Sequence, residues 1–167
     1  IANFENRLVS NENGAITSVQ TVYMPADELS DAGVAAIIAH LDTVVILSRQ
    51  LASRGLLPPI DPLLSSSRAL TKSIIGEKHY QNVTKAIEIL NYHQRLSRIV
   101  AIVGEAELSP YDQMVFQRAK KLINYMTQPF FTVEAQTGRK GVFVEKEKTI
   151  EDVEKILTGA VDEMPAE

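Results

Sequence analysis

Val83-Thr84-Lys85-Ala86-Ile87-Glu88-Ile89-Leu90-Asn91-Tyr92-His93-Gln94-Arg95-Leu96-Ser97-Arg98-Ile99-Val100-Ala101-Ile102-Val103-Gly104 is the stretch on which the fold turns. Val83, Ile87 and Leu90 step by four and three. Tyr92, Leu96, Ile99 and Val103 step by four, three and four. Residues at those spacings share one face of an α-helix. The stripe slips by about half a turn near Asn91, which predicts a bend or break between two helices. Gly104 stops the run.

Downstream the helical reading continues. Ser109-Pro110-Tyr111-Asp112 has a capping Ser, Pro at the first helical position and Asp placed to reach back as in a capping box. Val115, Ala119, Leu122 and Met126 then line one face, with Arg118, Lys120 and Lys121 mostly elsewhere, and Thr127-Gln128-Pro129 ends the helix. Thr149 and Asp152 repeat the capping pattern ahead of a last amphipathic helix carrying Ile150, Val153, Ile156 and Leu157, stopped by Gly159.

Upstream the pattern changes to α/β. Ala15 to Met24 is rich in Ile, Thr, Val and Tyr, and Pro25 closes it, so a strand is expected there. Asp27 to Gly33 is an acidic turn, and Ala35 to His40 is a helical turn or a loop. Thr43-Val44-Val45-Ile46-Leu47 is a continuous apolar run of the kind buried on both faces of a parallel sheet. Ser48 caps a short helix over Arg49 to Arg54 that Gly55 ends. Pro58, Pro59 and Pro62 keep the next stretch out of helix, and Ser65-Ser66-Ser67-Arg68 is a polar loop.

Composition agrees with a division near Thr71. Residues 1–70 hold four Lys/Arg against seven Asp/Glu, and the later residues thirteen against fourteen, so charge is much denser in the second part. With 167 residues, 45% apolar and 23% charged, the chain is of ordinary globular composition and long enough for a core. Cysteine is absent, which excludes disulfides and thiolate zinc sites. The three histidines, His40, His79 and His93, lie far apart, which argues against a His-rich metal site. A net charge of −4 disfavours a nucleic-acid grip resting on overall charge. No apolar run reaches the roughly 18 residues of a membrane span. The chain opens Ile1-Ala2-Asn3-Phe4 with no initiator Met or signal core, and reads as a piece of a longer protein.

No self-sufficient catalytic motif is present. The sequence has no Gly-rich phosphate loop ending in Gly-Lys-Ser/Thr, no Gly-x-Gly-x-x-Gly, no Gly-x-Ser-x-Gly and no His-Glu-x-x-His. Three segments carry candidate chemistry. Tyr23-Met24-Pro25-Ala26-Asp27-Glu28 follows a predicted strand. It reads either as groups near a ligand's polar end or as a strand-capping Tyr with a solvated acidic turn. Arg68 after three serines reads as a phosphate fork or a surface residue. Phe130 and Phe131 read as base-stacking faces or as core.

These segments fall in a wider ordered pattern. Gly14-Ala15-Ile16-Thr17-Ser18-Val19-Gln20, Tyr23-Met24-Pro25-Ala26-Asp27, Ala39-His40-Leu41-Asp42, Leu47-Ser48-Arg49, Asp61-Pro62-Leu63, Ser67-Arg68, Ile75-Gly76-Glu77, His79-Tyr80, Gln128-Pro129-Phe130 and Thr137-Gly138 follow one another almost without gaps. Together they closely resemble the β subunit of F-type rotary ATP synthases. The resemblance implies a fold in two parts: residues 1–70 as the α/β end of a P-loop nucleotide domain, then residues 71–167 as an all-α C-terminal helical domain, mainly α in sum. It implies a role in ATP synthesis or hydrolysis coupled to proton movement. ATP or ADP with Mg²⁺ is the implied cofactor of the full-length parent, and α-type and central-stalk subunits are the implied partners. The implied location is peripheral to a membrane, on the cytoplasmic, matrix or stromal side.

By the same resemblance Tyr23 matches a Tyr beside the catalytic phosphates. Arg68 and Tyr80 match residues at the neighbouring, non-catalytic nucleotide site. Leu57, Gln136 and Phe130 match adenine-pocket positions. The departures are specific. Gly55-Leu56-Leu57-Pro58 and Ala135-Gln136-Thr137-Gly138 lack the Tyr and Phe that the family stacks on adenine. Base–aromatic stacking is worth roughly 1–3 kcal/mol in other contexts, so a weakened adenine grip is implied. The family's acidic loop facing the rotating shaft corresponds to Glu105-Ala106-Glu107-Leu108-Ser109-Pro110-Tyr111-Asp112, which keeps three carboxylates and loses two. Two other readings stay open. One is a related flagellar or secretion export ATPase. The other is a helical interaction module whose nucleotide role has lapsed.

Overall fold

The structure, a computed structural model, describes residues 2–128 and 130–166. The chain divides into two compact units, Ile1–Val44 and Val45–Glu167.

In the first unit, helix α1 (Ala2–Glu5) leads into a tight turn in which the Asn11 side chain accepts from the backbone N–H of Asn13 and Gly14. The strand expected over Ala15 to Met24 is not formed. Those residues form no regular secondary structure and pair with no neighbouring strand among the described residues, and Val19 is 97% exposed. High β-propensity stabilises a strand only where a partner edge takes up its backbone hydrogen bonds. Helix α2 (Ala32–Ile38) is capped by Asp31, whose carboxylate accepts from the N–H of Gly33 and Val34. Val34 is its buried residue. The unit ends at the two-residue strand β1 (Thr43–Val44).

The second unit begins with a correction. Val45 and Leu47 are exposed and Ile46 is buried, so the apolar run is covered on one face only. A run buried on both faces needs layers above and below the strand, and here one loop does the covering. Leu47 bridges to Ile60, the Asp61 N–H donates to the Ile46 carbonyl, and the Ile46 N–H donates to Ser65 Oγ. Helix α3 (Arg49–Ser53) follows, capped by Ser48 as expected, and Gly55 takes the positive φ that ends it. Strand β2 (Ser66–Ser67) and helix α4 (Lys72–Ile75, after Thr71) lead to the helical part.

Helix α5 (Glu77–Val103) runs for 27 residues without the expected break. The slip in its stripe has another cause: the helix serves two cores in succession. Ala86, Ile89 and Leu90 pack on Leu122, Ile156 and Leu157. Tyr92, Leu96 and Val100 pack with Leu108 and Phe116. Ile99 and Val103, read as part of the stripe, are exposed. Helix α6 (Pro110–Met126) supplies Phe116 to one core and Leu122 to the other, with Ala119 fully buried between them. Met126 is exposed, contrary to its place in the predicted face, because it lies beyond the last buried turn. After the short helix α7 (Glu134–Thr137), helix α8 (Lys146–Thr158) closes the second core. It starts ahead of the predicted Thr149 cap. Thr149 Oγ1 instead donates back to the Glu145 carbonyl from inside the helix. Asn82 on α5 is buried and donates to the Ile150 carbonyl at 3.1 Å, joining α5 to α8. Full burial of a Leu or Phe contributes about 1.5–3 kcal/mol, and the nearly buried members of these two clusters approach that range.

The fold class is as the sequence implies: a small piece of nucleotide-domain α/β structure, then a mainly helical domain. Among the described residues no helix is long and apolar enough to cross a membrane.

Candidate functional site

Tyr23 is 77% exposed and stands just before a 3-10 turn, Pro25–Asp27, in which Ala26 and Asp27 take positive φ. The strand that would have aimed it is absent. The other positions belong to the second unit. Leu57 is half-buried in the turn between Gly55 and Pro58. Arg68 is exposed directly after β2. Tyr80, in the first turn of α5, is half-buried, with the Lys72 ammonium 5.5 Å from its ring centroid. Phe130 and Phe131 are both exposed, so the core-packing reading of this pair does not hold. Glu134 on α7 accepts from the Gly141 N–H, and the backbone at Gly141 runs so close to Phe131 that a Cβ there would lie 2.5 Å from the Phe131 nitrogen. Pro129 lies outside the described residues, as does the side chain of Gln136.

The acidic turn is the best-organised polar feature. Glu105–Glu107 form a 3-10 turn between α5 and α6. The Glu105 carboxylate accepts from Lys120 at 2.8 Å and from Gln117. The Lys120 bond, ahead of the Gln117 bond, holds its carboxyl below the usual range. Gln113 threads the turn by donating to the carbonyls of Glu105, Ala106 and Leu108. Asp112 accepts from the Tyr92 hydroxyl at 2.6 Å and from Ser109 Oγ at 2.7 Å, which lowers its carboxyl and raises the Tyr92 phenol. The Ser109 hydroxyl in turn accepts from the Asp112 N–H. Asp112 therefore reaches the capping hydroxyl and α5, where a capping box would have it reach backbone. Two of the three carboxylates are committed to holding the domain together, and Glu107 is the exposed one.

A second polar cluster secures the residues after α8. Arg118 Nε donates to both Asp162 oxygens at 2.9 and 3.0 Å, and the buried Lys121 donates to the carbonyls of Val161 and Asp162. The residue pattern places Lys121 mostly off the buried face, yet the side chain is buried. Its ammonium is buried because those two carbonyls, left open beyond the end of a helix, receive it. Asp152 accepts from Lys148, Lys155 and Tyr125, and the two lysines pull its carboxyl down to about 2. Lys121, Tyr125, Asp152 and Lys155 edge an open cleft of about 330 Å³. No group of three or more His, Asp or Glu side chains among the described residues is placed to hold a metal.

Sequence reasoning missed Asn82, Phe116 and Lys121. Asn82 carried a signal, since it stands four residues before Ala86 on the stripe that faces α8. Lys121 carried none, because only the path of the chain after α8 brings carbonyls to it.

Comparisons with known proteins match two successive segments of the chain. Residues 1–67 match the ATP synthase alpha/beta family, nucleotide-binding domain. Residues 68–163 match the C-terminal domain of V and A type ATP synthase. The second match spans more than half of the chain, which belongs to this ATP synthase family. Among solved structures it is similar to the ATP synthase subunit NeqB from Nanoarcheaum equitans, with TM-score 0.77 and 24% identity over 93% of this chain and 36% of that one. It is also similar to EscN, the ATPase of the enteropathogenic E. coli type III secretion system, with TM-score 0.69 and 22% identity over 86% of this chain and 32% of that one. At these identities the likeness is one of fold. The chain spans about a third of the length of either structure.

Proposed function

We propose that this chain is the C-terminal portion of a β-type subunit of a rotary ATP synthase, acting within a multi-subunit complex. The observation that supports it is the order of two family matches, nucleotide-domain residues leading directly into the helical domain of the same enzymes. F-type proton coupling is the narrower form of the proposal and rests on the sequence resemblance. The helical match, to the V and A types, favours a broader rotary assignment. In this reading residues 1–70 complete a nucleotide domain, and residues 71–167 form the helical domain that meets α-type and central-stalk subunits. The complex sits peripherally on a membrane, on the side where ATP is made or used.

Within the parent, ATP or ADP with Mg²⁺ would meet this segment only at its edges. Leu57, Phe130 and the Gln136 position would border the base, Tyr23 would approach the phosphates, and Arg68 and Tyr80 would serve a neighbouring nucleotide. The phosphate end does not fit this chain alone, because it has no Gly-rich loop to cradle phosphate with backbone N–H groups. The bound nucleotide would supply the phosphoanhydride chemistry. Leu57 and Phe130 can offer a base only apolar surface and one ring face.

The likeness to EscN favours a second reading, an export ATPase. Purification of the full-length parent separates the two. A complex containing α-type and stalk subunits that releases phosphate from ATP is the expected result. A ring of this subunit alone would support export, and absence of both nucleotide binding and assembly would support a lapsed module. The isolated chain is expected to release no phosphate from ATP above a blank.

A further inference from the structure

His93, in the second half of α5, is half-buried where several elements of the second unit converge. Its ring stacks on Phe116 of α6, with centroids 4.6 Å apart and planes 25° from parallel. The Lys120 ammonium lies 5.0 Å from the centroid of the same phenyl ring. Lys120 also holds Glu105, the first residue of the acidic turn, at 2.8 Å. One buried ring therefore links an imidazole on α5, an ammonium on α6 and, through that ammonium, the carboxylate that anchors the turn. The charged groups facing His93 are Arg54 at the end of α3, Lys120 on α6 and Glu105 on the turn. Burial first, then the Arg54 and Lys120 charges, disfavours the imidazolium, while Glu105 favours it.

We propose that His93 is a pH-sensitive latch on the Glu105–Glu107 turn. With the imidazole neutral, His93 stays stacked on Phe116 and Lys120 keeps Glu105. A proton taken from water puts a third cation beside Lys120 and Arg54. Glu105 is the carboxylate that faces Lys120 and His93. Burial and the Lys120 and Arg54 charges oppose the imidazolium more than Glu105 favours it, so the charged ring favours leaving Phe116 for water, and the Lys120–Glu105 pair beside that ring loosens with the turn. The sign follows from the environment. The folded chain prefers the neutral ring, so the latch is closed at and above neutral pH and opens as pH falls below the ordinary imidazole value of about 6.5. The latch does not depend on the nucleotide reading, since none of its members is a proposed nucleotide contact.

The test is made on the whole chain, from about pH 8 to about pH 5. The His93 ring protons are followed by NMR, and amide hydrogen exchange is followed at Leu108, whose N–H donates to the Glu105 carbonyl at 3.2 Å. His93 is expected to titrate below the ordinary imidazole value. Across that titration the protection of Leu108, corrected for intrinsic exchange, should fall several-fold. His93→Gln should abolish the fall while the amides of α6 stay protected. Lys120→Gln, which removes one of the opposing cations, should raise the His93 midpoint and provides the test if His93→Gln does not fold. Protection at Leu108 that stays flat across the His93 titration overturns the latch. So does a fall that persists in His93→Gln, or a midpoint that Lys120→Gln leaves in place or lowers.

Discussion

Residues 15–24 and residues 83–103 are both rich in branched apolar side chains, yet they end in opposite states. In the first stretch Ile16, Val19 and Tyr23 are exposed and no ladder forms. In the second Leu96 is buried, and Ala86, Leu90 and Val100 pack against two cores. The difference lies in where the backbone hydrogen bonds go. A helix satisfies its own N–H and C=O groups and needs only a surface to lie against. A strand needs another strand, and residues 15–24 have none beside them. Side-chain propensity is therefore an adequate guide to the helical region and a poor one to the first unit.

That contrast can be tested by truncation in both regions. Phe116→Ala should cost about 3–5 kcal/mol in urea unfolding, because it empties the centre of the Leu96–Leu108 cluster and removes the partner of His93. A loss below about 1 kcal/mol would mean that the cluster is not packed as described. Ser109→Ala should cost about 1 kcal/mol through loss of the α6 cap. Asp152→Asn should act through pH. Its carboxyl is at about 2, against an ordinary value of 3.8, so its stabilisation is complete above about pH 4 and is lost as pH falls through 2. The variant should be less stable near neutrality, with a flatter acid limb in a stability–pH curve. At the other extreme, Val19→Ala should shift stability by less than about 0.5 kcal/mol, since the side chain touches almost nothing. A cost like that of Phe116→Ala would show residues 15–24 to be packed.

The helical domain was the more legible part of the sequence. Its caps at Ser109, Gly104 and Gly159 and its α6 face at Val115, Ala119 and Leu122 all stand where the residue pattern puts them. The misread slip at Asn91 shows the limit of periodicity. A shift of stripe can mean a broken helix or a straight one with two successive neighbours, and only tertiary contacts decide. The pairing of Lys121 with carbonyls beyond α8, and of Tyr92 with Asp112, joins residues far apart in sequence and leaves no local trace. Tyr23, Arg68 and Phe130 carry chemistry that marks them as candidates, whereas Leu57 and Gln136 are legible only through family resemblance, since neither has intrinsic chemistry that marks a base pocket.

Amide hydrogen exchange on the intact chain tests the central contrast most directly, because it reads local stability residue by residue. Slow exchange is expected from Val83 to Met126, where α5 and α6 carry both cores, and fast exchange from Ile16 to Leu47. Slow amides between Ile16 and Leu47, with fast ones through α5 and α6, would contradict it.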